Sequence, residues 1–184
     1  MTDEEKALVP HLADYTAYDL PASISTDAIK AALKNELLIV GRTAGMELDD
    51  NDNAVEVVRG RATRIQLPHV LDALYADAAA DVKLGVSYDN GVTASVWAPT
   101  AQSVELRVFS GDPLRVSATK PMNFDADTGV WSVTGTAAEL DRKFYRYRVK
   151  SYYPLEKAVR RLEVTDPNSI SLSTNGRHSQ FVNL

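Results

Sequence analysis

Hydrophobic and polar positions alternate along most of the second half of the chain. In 103–109, Val104, Leu106 and Val108 fall on one side and Glu105 and Arg107 on the other. That period of two is what a half-buried antiparallel strand needs. Similar strand signals cover 84–88, 92–97, 114–118, 130–134, 144–153 and 158–165. Asp89-Asn90-Gly91 separates the first two, and Asn-Gly tolerates the positive φ of a tight hairpin turn. Gly111 to Pro113 and the polar loop Asp125-Ala126-Asp127-Thr128-Gly129 divide others. About seven short strands at this spacing predict a two-sheet sandwich.

The first half has a different texture. Ser25-Thr26-Asp27 offers capping oxygens to a helix carrying Ile29, Ala32 and Leu33. Residues 37–40 read as a strand, Gly45 and Asp49 to Asn53 as a turn, and 54–65 as a returning strand. Leu67-Pro68 opens a second helix, with Pro68 in its first turn and Val70, Leu71, Leu74, Tyr75 and Ala78 as its apolar stripe. Two short helices and a hairpin enclose little core, so this half is expected to lean on a neighbour. The fold class that follows is mainly β: a small α+β region over 1–80, then a β-sandwich over 81–184.

Composition narrows the chemistry. With 20 Lys+Arg against 25 Asp+Glu, the net charge is −5, which gives no bulk attraction to nucleic acid or an anionic membrane. Zero cysteines exclude disulfides, thiolate metal sites and cysteine nucleophiles. The beginning of the sequence is acidic, unlike a signal peptide, and no apolar run is long enough to span a bilayer. Localisation stays open. His11, His69 and His178 are isolated, and no phosphate-cradling glycine loop or Gly-x-Ser-x-Gly occurs. Asp49-Asp50 and Asp125/Asp127 sit in turns, where Asx side chains bond their own backbone. No metal site is expected.

Two features remain. Basic residues crowd Arg142, Lys143, Arg146, Arg148, Lys150, Lys157, Arg160 and Arg161. Alternation puts Arg146, Arg148 and Lys150 on one strand face with Phe144, and Tyr145, Tyr147 and Val149 on the other. Nucleic-acid binding, a solvated face and a surface docked on an acidic domain all fit, the last two better. Of the two tryptophans, Trp97 reads as structural, or as packing under a neighbouring domain. Trp131, after the turn at Gly129, is the better ligand candidate.

Gly91-Val92-Thr93-Ala94-Ser95-Val96-Trp97-Ala98-Pro99-Thr100-Ala101 resembles the opening of the family-48 carbohydrate-binding module. Gly129-Val130-Trp131-Ser132, Phe144-Tyr145-Arg146-Tyr147 and Val164-Thr165-Asp166-Pro167 resemble its later landmarks, in the same order. Ser171 to Gly176 with Phe181 to Leu184 resembles the segment leading into a catalytic barrel. His11 to Tyr15, Asp19 to Ala22 and Gln66 to Tyr75 are similar to the region before this module in bacterial type I pullulanases.

The resemblance implies an immunoglobulin-like antiparallel sandwich, with Trp97, Pro99, Asp166 and Pro167 as structural motif residues. It implies a non-catalytic accessory fragment whose partner is the catalytic α/β barrel of the same parent chain. That barrel hydrolyses α-1,6 linkages with a carboxylate pair, so none of these residues is assigned as catalytic and the fragment is expected to be inactive. The parent would be a glycoside hydrolase. No cofactor is expected; the resemblance allows calcium in the parent, without a site here. No nucleic acid or membrane is expected as partner.

For α-glucan the resemblance gives a mixed answer. Arg146 matches the basic position of glycogen-binding members, but Ser110-Gly111-Asp112-Pro113 lacks their tryptophan. Asn175 replaces a leucine, and Ser179 stands near an asparagine position. Trp131, Arg146, Tyr152 and Tyr153 are the candidates for contact with glucan. Three functions compete: an accessory fragment packed on the barrel, an autonomous starch- or glycogen-binding module, and a regulatory glycogen-sensing scaffold.

Overall fold

The computed structural model describes residues 2–184, the side chains of Glu5, Leu48 and Val58 excepted. The N-terminal region begins with helix α1 (Asp3–Leu8) and a 3-10 turn at Pro10–Leu12. Helix α2 (Thr26–Ala32) starts where the capping residues predict, with the Ser25 hydroxyl accepting from Ala28 N–H at 3.2 Å. Strands β1 (Leu38–Leu48) and β2 (Ala54–Arg64) form a two-stranded antiparallel ribbon. Its turn is held by Asp49, whose Oδ1 accepts from the N–H groups of Asn51 and Asn53. The expected strand over 37–40 thus continues to Leu48, and Gly45 lies within it opposite Val57, not in the turn. Helix α3 (Val70–Ala79) follows. Pro68 stands in a turn ahead of it, because His69 takes the N-cap in the left-handed region at φ 59°. Of its expected stripe, Tyr75 is buried and Ala78 is exposed.

The sandwich matches the expected architecture. Strands β3 (Gly85–Ser87), β4 (Val92–Trp97), β5 (Ser103–Ser110), β6 (Arg115–Pro121), β7 (Asn123–Phe124) and β8 (Val130–Gly135) come first. Then follow helix α4 (Ala137–Leu140) and strands β9 (Phe144–Tyr153), β10 (Ala158–Val164) and β11 (Ser179–Gln180). One sheet runs β3-β4-β8-β7; the other runs β10-β9-β5-β6, with β11 also on β9. Asn90 and Gly91 both take positive φ in the β3–β4 turn, as the Asn-Gly dipeptide requires. The short β7, α4 and β11 are additions to the expected elements.

Side chains from both sheets meet between them. Val104, Leu106 and Val108 of β5 are buried, as are Tyr145 and Tyr147 of β9, Val92, Ala94 and Val96 of β4, and Phe181. Full burial of a residue such as Leu106 contributes about 2 kcal/mol. The core also holds Asp166, 4% exposed, which accepts hydrogen bonds from the hydroxyls of Tyr145 (2.7 Å) and Tyr147 (3.1 Å). Burial and this carboxylate push both phenols far above their ordinary pKa, so they stay protonated donors.

Tyr75 of α3 packs edge-on against Trp97, their rings 6.5 Å apart, and so joins the N-terminal region to the sandwich. Gly129 makes this closeness possible. At φ +72°, a Cβ there would lie 2.8 Å from Pro99 Cβ and 3.1 Å from the Tyr75 ring. Only glycine suits that backbone and that space.

Candidate functional site

The outer face of the five-stranded sheet gathers Arg107, Arg146, Arg148, Lys150 and Arg161. On β9, Phe144, Arg146, Arg148, Lys150 and Tyr152 share one side by the period of two. Register sets Arg146 opposite Arg107 and Arg148 opposite Glu105 on β5, with Glu163 of β10 on the far side of Arg148. Arg148 Nε bonds Glu105 at 2.8 Å and holds that carboxyl below its ordinary range. Glu163 pairs with Arg107 and lies 3.7 Å from Arg146, whose guanidinium also donates to the Glu163 carbonyl. These arginines pair with two carboxylates of their own sheet, while the Nε atoms of Arg107 and Arg146 are buried without a partner among the described residues. Beside them, His178 packs edge-on against Phe109 at 4.6 Å. Burial first, then Arg146 and Arg177, lower the pKa of His178, which favours the neutral ring at pH 7.

The four glucan candidates do not converge. Trp131 is 7% exposed. Its indole N–H donates to Ala98 C=O at 3.0 Å, and its ring packs 4.8 Å from that of Phe124. Strand β8 runs between β4 and β7, and the Trp131 side chain turns into the core, so this ligand candidate is left with no face for a sugar to stack on. Arg146 is on the outer face described above. Tyr152 shares that side, but its hydroxyl is buried without a hydrogen-bond partner among the described residues, so it offers no free polar group at the surface. Tyr153, the next residue along β9, falls on the opposite side of the strand.

The motif residues have packing roles. Trp97 donates to Thr128 C=O at 3.0 Å under the N-terminal helix α3. Pro99 is buried against Gly129, while Pro167 is exposed beside the buried Asp166. Ser179 is fully buried, and its hydroxyl accepts from Asp166 N–H at 2.9 Å. Asn175 is exposed in the turn Thr174–Gly176 at φ +60°. The residue missed by sequence reasoning is Glu163, the shared partner of Arg107 and Arg146. Its position becomes visible only through the β9–β10 register, which composition and spacing leave undetermined.

A cleft of about 530 Å³ lies where α2 meets the sandwich. Its two rings are already capped: Lys30 Nζ sits 4.4 Å from the Tyr75 centroid, and Lys34 Nζ sits 3.9 Å from that of Phe124. Gln102 there donates to the Lys34 carbonyl and to Asn35 Oδ1. The cleft is a joint held by its own groups. Asp125 accepts from Asp127 and Thr128 N–H, an Asx turn as expected. Among the described residues no cluster of three or more His, Asp or Glu side chains is placed to hold a metal ion. Among the described residues no helix is long and apolar enough to cross a membrane.

The family described as carbohydrate-binding module 48 (isoamylase N-terminal domain) matches residues 73–169. This chain belongs to that family. The pullulanase N2 domain matches residues 1–73, ahead of the family-48 module. A pullulanase of Klebsiella pneumoniae is 38% identical over 176 residues, which are 95% of this chain and 15% of that protein. Chloroplastic pullulanase 1 of Arabidopsis thaliana is 31% identical over 95% of this chain and 16% of its own length. A solved maltotriose complex of PulA from Klebsiella pneumoniae superposes with a TM-score of 0.77 at 36% identity, covering all of this chain and 18% of that one. The chain thus spans about a sixth of the relatives it matches. It has the fold and order of a pullulanase N-terminal region, with a module of accessory rather than catalytic type.

Proposed function

We propose that these residues serve as the accessory region of a longer enzyme that hydrolyses α-1,6 linkages in branched α-glucan. In this reading they pack beside its catalytic α/β barrel and do not capture glucan themselves. The observation that carries the second part is the occupied outer face. Arg146, the cation expected to meet glucan, is engaged by Glu163, and Trp131 is in the core. Sugar binding needs an open ring face beside free polar groups, and the candidate residues do not supply that pair together. The first part draws on the pullulanase relatives, whose N-terminal domains occur in this order.

Affinity electrophoresis of the 184-residue chain in gels containing amylopectin or glycogen tests the reading. Migration equal to that in a plain gel is expected. Retardation that grows with polysaccharide concentration would overturn it in favour of an autonomous glucan-binding module.

A further inference from the structure

The β1–β2 ribbon is the part of the molecule least accounted for. Each strand has eleven residues, so the ribbon projects about 35 Å at roughly 3.3 Å per residue. It has no third strand, and an isolated two-stranded ribbon is marginal in water. Its side-chain anchors lie at the base, where Arg64 bonds Glu36 and donates to the Pro154 carbonyl.

The pleat gives the ribbon one mostly apolar face. Leu38, Val40, Ala44 and Met46 of β1 share it with Ala54, Gly60 and Ala62 of β2, and Arg42, Glu56 and Arg64 set three charges on the same face. Leu38, Val40 and Met46 are 48%, 52% and 67% exposed. Arg42 lies among them, exposed and in no ion pair among the described residues. A strip of this kind is among the larger apolar patches of an ordinary monomer, and such patches often mark a contact surface.

We infer that this face is covered by a further segment of the same polypeptide, one that is apolar and sets a carboxylate against Arg42. Area separates this occupant from a second copy of the chain. Two strands about 4.8 Å apart and about 35 Å long offer roughly 350 Å². A stable association of separate molecules buries about 800 Å² per partner, so the strip is too small to hold a dimer. A segment tethered in the same chain has a high effective concentration and needs less area. The matched pullulanases have the length to supply one, since this region is only 15% of the Klebsiella protein. The inference rests on the reading of these residues as part of a longer debranching chain.

Hydrogen exchange on the full-length chain tests it. The interstrand amides of β1 and β2 are expected to exchange at least a hundredfold more slowly than unstructured amides, at every protein concentration. Val40→Glu is expected to speed them at least tenfold while β5 and β9 stay unchanged. Ribbon amides exchanging at near-unstructured rates in the wild-type chain would overturn the inference, as would protection that fades on dilution, the mark of a second copy. The wild-type measurement decides even if the variant fails to fold. Release of reducing ends from pullulan by the same full-length preparation reports separately on the debranching reading.

Discussion

Residues 1–80 and 81–184 are built on opposite principles. Among the described residues, the sandwich holds fifteen of eighteen buried hydrophobic side chains and the N-terminal region Val9, Leu12 and Tyr75. Among the described exposed large hydrophobics the balance reverses, with ten in the shorter N-terminal region and eight in the sandwich. Both regions contain antiparallel strands and short helices, so secondary structure does not separate them. What separates them is whether an apolar face has a second layer to meet. The sandwich sheets supply that layer to each other, whereas the ribbon has nothing of its own to face. Stability in one region is internal; in the other it is borrowed.

The largest expected effect is at the centre of the sandwich. Asp166→Ala leaves the Tyr145 and Tyr147 hydroxyls buried without their acceptor. Hydrogen bonds to a charged group contribute about 1.5–3 kcal/mol each, so a loss near 3 kcal/mol is expected. Urea unfolding of the 184-residue chain, followed by tryptophan fluorescence, measures it. Val40→Ala on the ribbon should move the same transition by less than about 0.5 kcal/mol, as substitutions at exposed sites do. Equal losses at the two positions would erase the contrast between the regions.

The same contrast explains what could be read from the sequence. Strands β4, β5, β8 and β9 were legible because one side of each meets a core, and burial writes a period of two into the residues. The ribbon is recognisable as a hairpin, but the pattern marks only the first residues of β1. Gly41, Gly45 and Arg42 interrupt its pattern where no core demands one. The carboxylates of Asp49 and Asp125 were readable as turn formers because their partners lie two to four residues away. Helix α4 also had a local signal, Thr136 followed three residues later by Glu139, yet four residues are too few to show a helical stripe. The side-chain partners of the site candidates are not legible for the opposite reason. Whether Trp131 turns inward, and which carboxylate Arg146 meets, depends on sheet order and register across tens of residues.

A smaller effect should appear where the two regions meet. Lys30 and Lys34 carry α2 onto Tyr75 and Phe124, and each such contact is worth about 0.5–1 kcal/mol. Replacing both by methionine keeps the aliphatic stems and removes the charges. About 1 kcal/mol of local stability should be lost at α2, read as faster exchange of its amides with β5 unchanged. If exchange at α2 does not change, the Gln102 hydrogen bonds to the Lys34 carbonyl and Asn35 Oδ1 hold the helix to the sandwich without the two charges.

The smallest effect concerns the pH response of a single exposed turn in the sandwich. Glu139 accepts from the Thr136 backbone N–H at 2.9 Å and pairs with Lys120 at 2.9 Å. The backbone bond first, then Lys120, pull its pKa down to about 2 from an ordinary 4.5. A carboxyl whose folded pKa lies below its unfolded value stabilises the folded state above the unfolded pKa. The contribution of Glu139 to α4 is therefore complete above about pH 4.5, declines as acid is added, and is gone below about pH 2. Its side-chain carboxyl carbon, followed by NMR, should titrate near 2. Lys120→Met should move that midpoint upward while leaving the Thr136 bond in place. A midpoint near 4.5 in the wild-type chain would mean that α4 is not closed by its capping box, and that this sandwich turn is as weakly held as the ribbon.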